Sequence, residues 1–254
     1  MFTEHYPPLA VAYLVGLGGW LLASRLLPRV WPSEAEKVSF SRSWREFGIA
    51  LLGALGVLVM GQLWMRGIRL PEKGVLGPVL GAINQALIFA PILLVPVLRR
   101  QPWTTAWLPR PRIAIRLLVG LVLVSLAVTA YSLLREGAEE PWVLLGRIWR
   151  YEHIDEMVQV FLEDLTIAIL FVRLASAIGV RWATFAVACL FAAGHMPVMV
   201  SQGATWSEVT GLLRDSGIGV AVILVLQRSR DVVWFWCIHL CLDMTQFARV
   251  SGVQ

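Results

Sequence analysis

The chain has 254 residues, of which 57% are hydrophobic and only 15% are charged, and its mean hydropathy is +0.69. No soluble core needs so much apolar sequence, so the composition predicts a polytopic membrane protein and excludes an ordinary soluble domain. The net charge of +5 comes from basic residues scattered through short loops. That pattern is typical of orientation signals and of contact with anionic lipid head groups, so we expect the bilayer and no nucleic acid as a partner.

Eight apolar runs follow one another along the chain, and most are close to the roughly 20 residues that a bilayer core of about 30 Å requires. They cover residues 8–27, 47–65, 74–98, 113–134, 154–175, 182–196, 209–226 and 232–247. We therefore predict an all-α fold with about eight transmembrane helices in one integral-membrane domain, 1–254. Pro197 is expected to end the sixth helix and so to leave His195 close to one membrane face or to a water-filled cavity. The amphipathic segment PWVLLGRIW, before the fifth run, is predicted to lie along the membrane interface.

Tryptophans concentrate near the ends of these runs, where aromatic side chains commonly anchor a protein at the membrane interface. The nine that support the boundaries are Trp31, Trp44, Trp64, Trp103, Trp107, Trp142, Trp149, Trp182 and Trp206. We interpret them as an aromatic belt.

Ionisable residues occur inside the apolar runs of the second half of the chain. The fifth run carries Glu163 and Asp164, the sixth ends near His195, and the eighth carries His239 and Asp243 four residues apart. A charged group near the bilayer centre costs about 2.5 to 3.5 kcal/mol on insertion scales, so three such placements indicate a function. Taken alone, the last pair could be a satisfied buried pair.

The distribution of these ionisable residues divides the chain into two parts with different predicted roles. Residues 1–150 are predicted to be scaffold spans, and residues 151–248 to be the motif-bearing catalytic core.

The five side chains allow two kinds of hydrolytic site. A water held by Glu163 and His195 could be deprotonated for attack on a carbonyl, while His239 and Asp243 stabilise the oxyanion. Alternatively, Glu163, His195 and His239 could hold a divalent metal such as zinc, with one position open for water. The residues do not choose between these sites, so no cofactor is certain.

At these residues the chain resembles the CAAX protease and bacteriocin-processing (CPBP) family of intramembrane endopeptidases. The family shows a Glu-Glu-xxx-Arg motif, a Phe-xxx-His motif and a His-xxx-Asn or His-xxx-Asp motif on separate membrane helices. The corresponding residues here are Glu163-Asp164, then Phe191 to His195, then His239 to Asp243. The resemblance covers about residues 158–247.

The resemblance implies an intramembrane protease, glutamate- or metal-dependent, that hydrolyses a peptide bond of a membrane-anchored or lipid-modified protein. C-terminal or leader processing in the bacterial inner membrane is the expected setting. Glu163 would be the general base with His195 on the attacking water. His239 and Asp243 would surround the oxyanion or metal, and Asp164 would support them.

Two departures from the family motif bear on activity. Asp164 replaces the second glutamate, and Ala168 replaces the arginine, which removes a bidentate donor for the carboxylates. Arg173 is not an obvious substitute, because five residues on a helix lie about 140° further round than position 168.

These departures leave two other functions open. A catalytically inactive relative could act as a membrane scaffold. A proton-coupled transporter could instead use the same acids and histidines as a relay, as intramembrane ionisable residues often do.

Overall fold

The computed structural model describes residues 6–31, 38–109, 111–135, 139–201 and 203–247. Within these ranges the chain is all-helical, as predicted, with nine α-helices, two short 3-10 turns and no strand. The helices are α1 (Tyr6–Leu26), α2 (Ser43–Met65), α3 (Gly77–Leu98), α4 (Ile113–Leu134), α5 (Pro141–Ile148), α6 (Ile154–Ile178), α7 (Val180–Ser201), α8 (Trp206–Ser229) and α9 (Val232–Phe247).

Eight of these helices correspond to the eight apolar runs, and α5 corresponds to the amphipathic segment. In the described part of the chain, four helices are long and apolar enough to cross a membrane, namely α1 from Pro7, α2, α3 and α4. Shorter apolar stretches occupy Ser216–Ser229 and Val232–Thr245. These are the helices of an integral membrane protein, and four of them have the length and hydropathy of a complete span among the described residues.

The helix α6 lies at the centre of the structure. It also carries more charged residues than any other of the long helices. It packs against α2, α3, α7 and α9, and α9 in turn packs against α1, α4 and α5. The pairs α1 with α4, α2 with α3, and α7 with α8 lie around this centre. The two helices that carry the first and third motifs are therefore in mutual contact and enclosed by the others.

Glycines allow the closest approaches to these two helices. A Cβ added at Gly120 on α4 would lie 2.7 Å from the Trp234 carbonyl oxygen, so only glycine lets α4 pack against α9 there. A Cβ added at Gly81 on α3 would lie 3.0 Å from Asp155 Cβ on α6. Small residues at such contacts are typical of helix packing in membranes.

The predicted end of the sixth helix at Pro197 is wrong. Helix α7 continues through Pro197 to Ser201, so His195 lies within a continuous helix and not at its end. A proline removes a single N–H from the helical ladder, and neighbouring structure in an apolar assembly tolerates that loss.

The aromatic belt is present only in part. Trp44, Trp142, Trp182 and Trp206 are exposed, as a belt requires. In contrast, Trp31 is buried and donates a hydrogen bond to Asp231, and the buried Trp107 packs on Phe171. Position near a helix end therefore does not distinguish an interfacial tryptophan from one that fills the core.

A buried ion pair fixes the connection before α9. The Arg116 guanidinium on α4 pairs with Asp231, which also accepts a hydrogen bond of 2.8 Å from Trp31 Nε1. Arg116 further donates to the Val30 carbonyl at 2.6 Å. Three separate segments of the chain are thus held at one point beside the start of α9.

Candidate functional site

The central contact of the site joins α6 to α9. Asp164 Oδ1 and His239 Nδ1 are 2.9 Å apart, the Asp164 side chain is fully buried, and the His239 side chain is 12% exposed. Because a carboxylate accepts, Nδ1–H is the donor, and Nε2 is left to act on another group. A buried carboxylate that fixes the tautomer and orientation of a histidine is a common arrangement in catalytic and metal sites.

Aromatic rings confine both motif histidines. The centroid of the Phe235 ring lies 5.5 Å from that of the His239 ring. The ring of Phe191, on α7, lies 6.4 Å from the same His239 ring. Phe191 also contacts the His195 ring, with centroids 4.7 Å apart. The phenylalanine of the second motif is therefore a shared packing surface for the two histidines.

His195 is exposed and is oriented by its own helix. Its Nδ1 lies 2.9 Å from the Phe191 carbonyl oxygen, one turn earlier, so Nδ1–H is the donor and Nε2 can accept a proton. Both histidines thus bind the protein through Nδ1 and leave Nε2 available.

Glu163 and Asp164 face different partners although they are adjacent. Successive residues on a helix point about 100° apart, so Asp164 reaches inward to α9 while Glu163 stays half-buried. Glu163 Oε1 accepts a hydrogen bond of 2.9 Å from Gln159 Nε2. Gln159 was not among the predicted site residues, although its position four residues before Glu163 places it on the same face.

Asp243 is not hydrogen-bonded to His239, although the two are one turn apart. The side chain that orients His239 is Asp164, which sequence analysis had placed only in a supporting role. Asp243 nevertheless lies within electrostatic range of Glu163, His195 and His239, as well as of Asp164. The fold therefore gathers all five predicted side chains from α6, α7 and α9 around one region.

A tyrosine from α1 completes this region. Tyr13 is buried, lies within electrostatic range of Glu163, Asp164 and Asp243, and has its ring 6.5 Å from that of Phe235. Sequence analysis missed Tyr13, because no spacing links the first apolar run to the motifs. The predicted scaffold thus contributes a side chain to the site.

The residues predicted to hold a metal ion, if one is bound, are Glu163, His195 and His239. Among the described residues, no group of three or more His, Cys, Asp or Glu side chains is placed to hold a metal ion. His239 directs one ring nitrogen to Asp164, and Glu163 is held by Gln159. His239 binds Asp164 through Nδ1 only, and a carboxylate in that position is also the usual partner of a metal-bound histidine.

Arg173 does not replace the arginine missing at position 168. Ala168 is fully buried, and Arg173 is buried on another side of α6, where it donates to the Ile169 carbonyl at 2.9 Å and to the Gln101 side chain. The guanidinium also lies 5.4 Å from the Phe40 ring. The carboxylates of the first motif are positioned by Gln159 and His239 instead.

The chain matches no protein-family model, no curated protein and no solved structure. Function must therefore be inferred from the geometry of the site and from the motif residues themselves.

Proposed function

We propose that the chain is an intramembrane endopeptidase of the CPBP type, which hydrolyses a peptide bond by means of water activated by Glu163 and His195. The observation that carries this proposal is the hydrogen bond between the buried Asp164 and His239. It joins the first and third motifs across α6 and α9 and leaves His239 Nε2 available to the substrate. The order of the three motifs along the chain supports the same assignment.

The first step is attack of water on the scissile carbonyl carbon. Glu163 takes one proton from the water, and His195 Nε2 accepts a hydrogen bond that orients it. Gln159 holds Glu163 in place, as its hydrogen bond to Oε1 allows. The new C–O bond gives a tetrahedral intermediate whose negative charge lies on the former carbonyl oxygen.

Protonated His239 stabilises that negatively charged oxygen. Both ring N–H groups then donate, Nδ1 to Asp164 and Nε2 to the oxyanion, and the buried carboxylate balances the charge of the ring. Because Asp164 already orients His239, Asp243 is free to act on the substrate, and in its protonated form it donates a second hydrogen bond to the oxyanion. Collapse of the intermediate breaks the C–N bond, and the proton on Glu163 passes to the leaving amine.

The substrate we propose is a membrane-anchored or lipid-modified protein, processed at its C-terminus or leader in the bacterial inner membrane. In this proposal α1 to α4 and α6 to α9 form eight spans. Asp164 and His239 are enclosed by the surrounding helices, whereas His195 is exposed, and we propose that the peptide reaches the site from the His195 side.

The experiment that tests this proposal compares the terminal peptides of membrane proteins in cells that carry the wild-type chain, Glu163→Ala or His239→Ala. We expect a common set of precursors to retain their tails in both mutants. His153→Ala is the matched control, since His153 is partly exposed and its ion pair is with Glu156, at 3.8 Å, outside the candidate site. It should process the same precursors as the wild type.

Two other outcomes identify different functions. A proton-coupled carrier would lose transport in Glu163→Ala and leave every terminus unchanged. For a scaffold, neither the terminal peptides of membrane proteins nor any transport would change in the variants, provided that the variants fold and reach the membrane. Either result overturns the proposal that the chain is a protease.

A further inference from the structure

A cleft of about 510 Å³ opens where the first residues of α2 meet the last turn of α6. Its walls include Arg42, Arg45 and Trp44 from the α2 side and Ser176 from α6. None of the candidate active-site residues lines it. The cleft is therefore a separate feature with its own chemistry.

The described residues that line the cleft include two arginines and no acid. Arg42 and Arg45 are exposed and three residues apart, and neither forms an ion pair with any described residue. The acid nearest in sequence, Glu46, is buried and accepts hydrogen bonds from Arg99 at 2.6 Å and from Gln101 at 2.8 Å. Two guanidinium groups are thus left to bind an anion from outside the protein.

Hydrogen bonds fix the floor of the cleft. The hydroxyl oxygens of Ser43 and Ser176 are 2.8 Å apart, and Ser43 donates to the Phe40 carbonyl at 2.8 Å. The Phe40 backbone N–H donates to Ser176 Oγ at 3.1 Å. These bonds hold α2 against α6, so the wall that carries the arginines is formed in advance.

The position of Trp44 places the cleft at the depth of the lipid head groups. Trp44 is 63% exposed and lies on the same face of α2 as three exposed apolar residues, Leu52, Leu55 and Val59. Since α2 is long and apolar enough to span a membrane, this face is placed against lipid in the inference made below. An exposed tryptophan at the end of a lipid-facing stripe marks the membrane interface.

We infer that this cleft binds the phosphate of an anionic phospholipid, with Arg42 and Arg45 on the phosphate oxygens and the acyl chains along the exposed face of α2. Arginine matches phosphate through paired N–H donors, and the negative surface of a membrane supplies such groups at the depth of Trp44. This inference does not depend on the protease proposal, because it concerns different residues and a different ligand.

The test measures lipid binding to the full-length protein purified in a neutral detergent. Short-chain phosphatidylglycerol, short-chain phosphatidylcholine and inorganic phosphate are each titrated, and bound lipid is counted by native mass spectrometry. We expect phosphatidylglycerol to bind the wild type more tightly than either of the others. Arg42→Gln with Arg45→Gln should weaken that binding about fivefold for each arginine.

The matched control is Arg25→Gln with Arg29→Gln, which removes the same charge from exposed residues that do not line the cleft. It should bind phosphatidylglycerol as the wild type does. Arg42→Lys with Arg45→Lys should recover most of the binding, because lysine keeps the charge. If the double glutamine variant does not fold, the two single variants carry the same test at about fivefold each.

Three results overturn the inference. In the first, the control weakens phosphatidylglycerol binding as much as the cleft variant, which indicates only the general charge of the loop. In the second, phosphatidylcholine binds as tightly as phosphatidylglycerol. In the third, inorganic phosphate binds as tightly as the lipid, which identifies a site for soluble phosphate.

Discussion

Helices α2 and α6 are nearly equal in length, yet they use their side chains in opposite ways. In α2 the buried residues are only Glu46, Ala50 and Gly53, and five of its large apolar side chains are exposed. In α6 most residues from Val160 to Leu174 are buried. The more apolar helix is on the outside, and the helix with five charged residues is at the centre.

This difference follows from the solvent. Lipid is as apolar as leucine, so an apolar side chain gains little by leaving the surface, whereas an ionisable group must find partners inside. The interior partners of α6 are His239 for Asp164 and Gln101 for Arg173. Charge within a long helix is therefore a better sign of a central position in this protein than hydrophobicity is.

The strongest test of the comparison between α2 and α6 replaces one glutamate in each helix by glutamine. Glu163→Gln should lower the rate of substrate cleavage about 10²- to 10⁴-fold, the range that a general base contributes. Glu46→Gln should leave the rate per folded molecule unchanged, because Glu46 is bound to Arg99 and Gln101. Cleavage of an identified precursor in proteoliposomes measures both variants, and equal losses would contradict the separate roles.

Core truncation compares the two helices without involving their charges. Ile169→Ala on α6 removes a fully buried side chain and should lower the free energy of unfolding by about 2–5 kcal/mol. Leu52→Ala on α2 removes a side chain that is 69% exposed and should change the free energy of unfolding by less than about 0.5 kcal/mol. Denaturation in mixed detergent micelles measures both, and a larger loss for Leu52→Ala would mean that the exposed face of α2 is covered by protein.

Sequence analysis located the helices well because apolar length is a local property. It also singled out the five acids and histidines of the candidate site, since an acid or histidine in an apolar run is conspicuous wherever the run lies. It did not find that Asp164 orients His239, because that contact joins residues 75 positions apart. Tyr13 was missed for the same reason, and the end of α7 was misplaced because Pro197 does not stop a helix in an apolar assembly.

The pairing of Asp164 with His239 predicts a smaller loss than the removal of Glu163. Asp164→Asn should lower cleavage about 10- to 100-fold, the usual effect of losing a carboxylate that orients a histidine. The amide keeps the volume but cannot balance the charged ring, so the loss should fall on the rate of the chemical step rather than on substrate affinity. A change confined to KM would show that Asp164 acts on substrate binding and not through His239.

The smallest expected effect concerns a neutral hydrogen bond between the same two helices. Trp236 Nε1 on α9 donates to the Met157 carbonyl on α6 at 2.8 Å, and the Trp236 ring packs edge-on against Trp149 and Phe161. Trp236→Phe keeps an aromatic ring and removes the donor, so it should lower the free energy of unfolding by about 0.5–1.5 kcal/mol.

The control for Trp236→Phe is Trp142→Phe on α5, because Trp142 is 69% exposed. Unfolding of this variant should match that of the wild type to within about 0.5 kcal/mol. If Trp236→Phe is equally silent, the contact between α6 and α9 does not depend on this bond. The buried pair of Asp164 and His239 would then be the principal polar connection between the two helices.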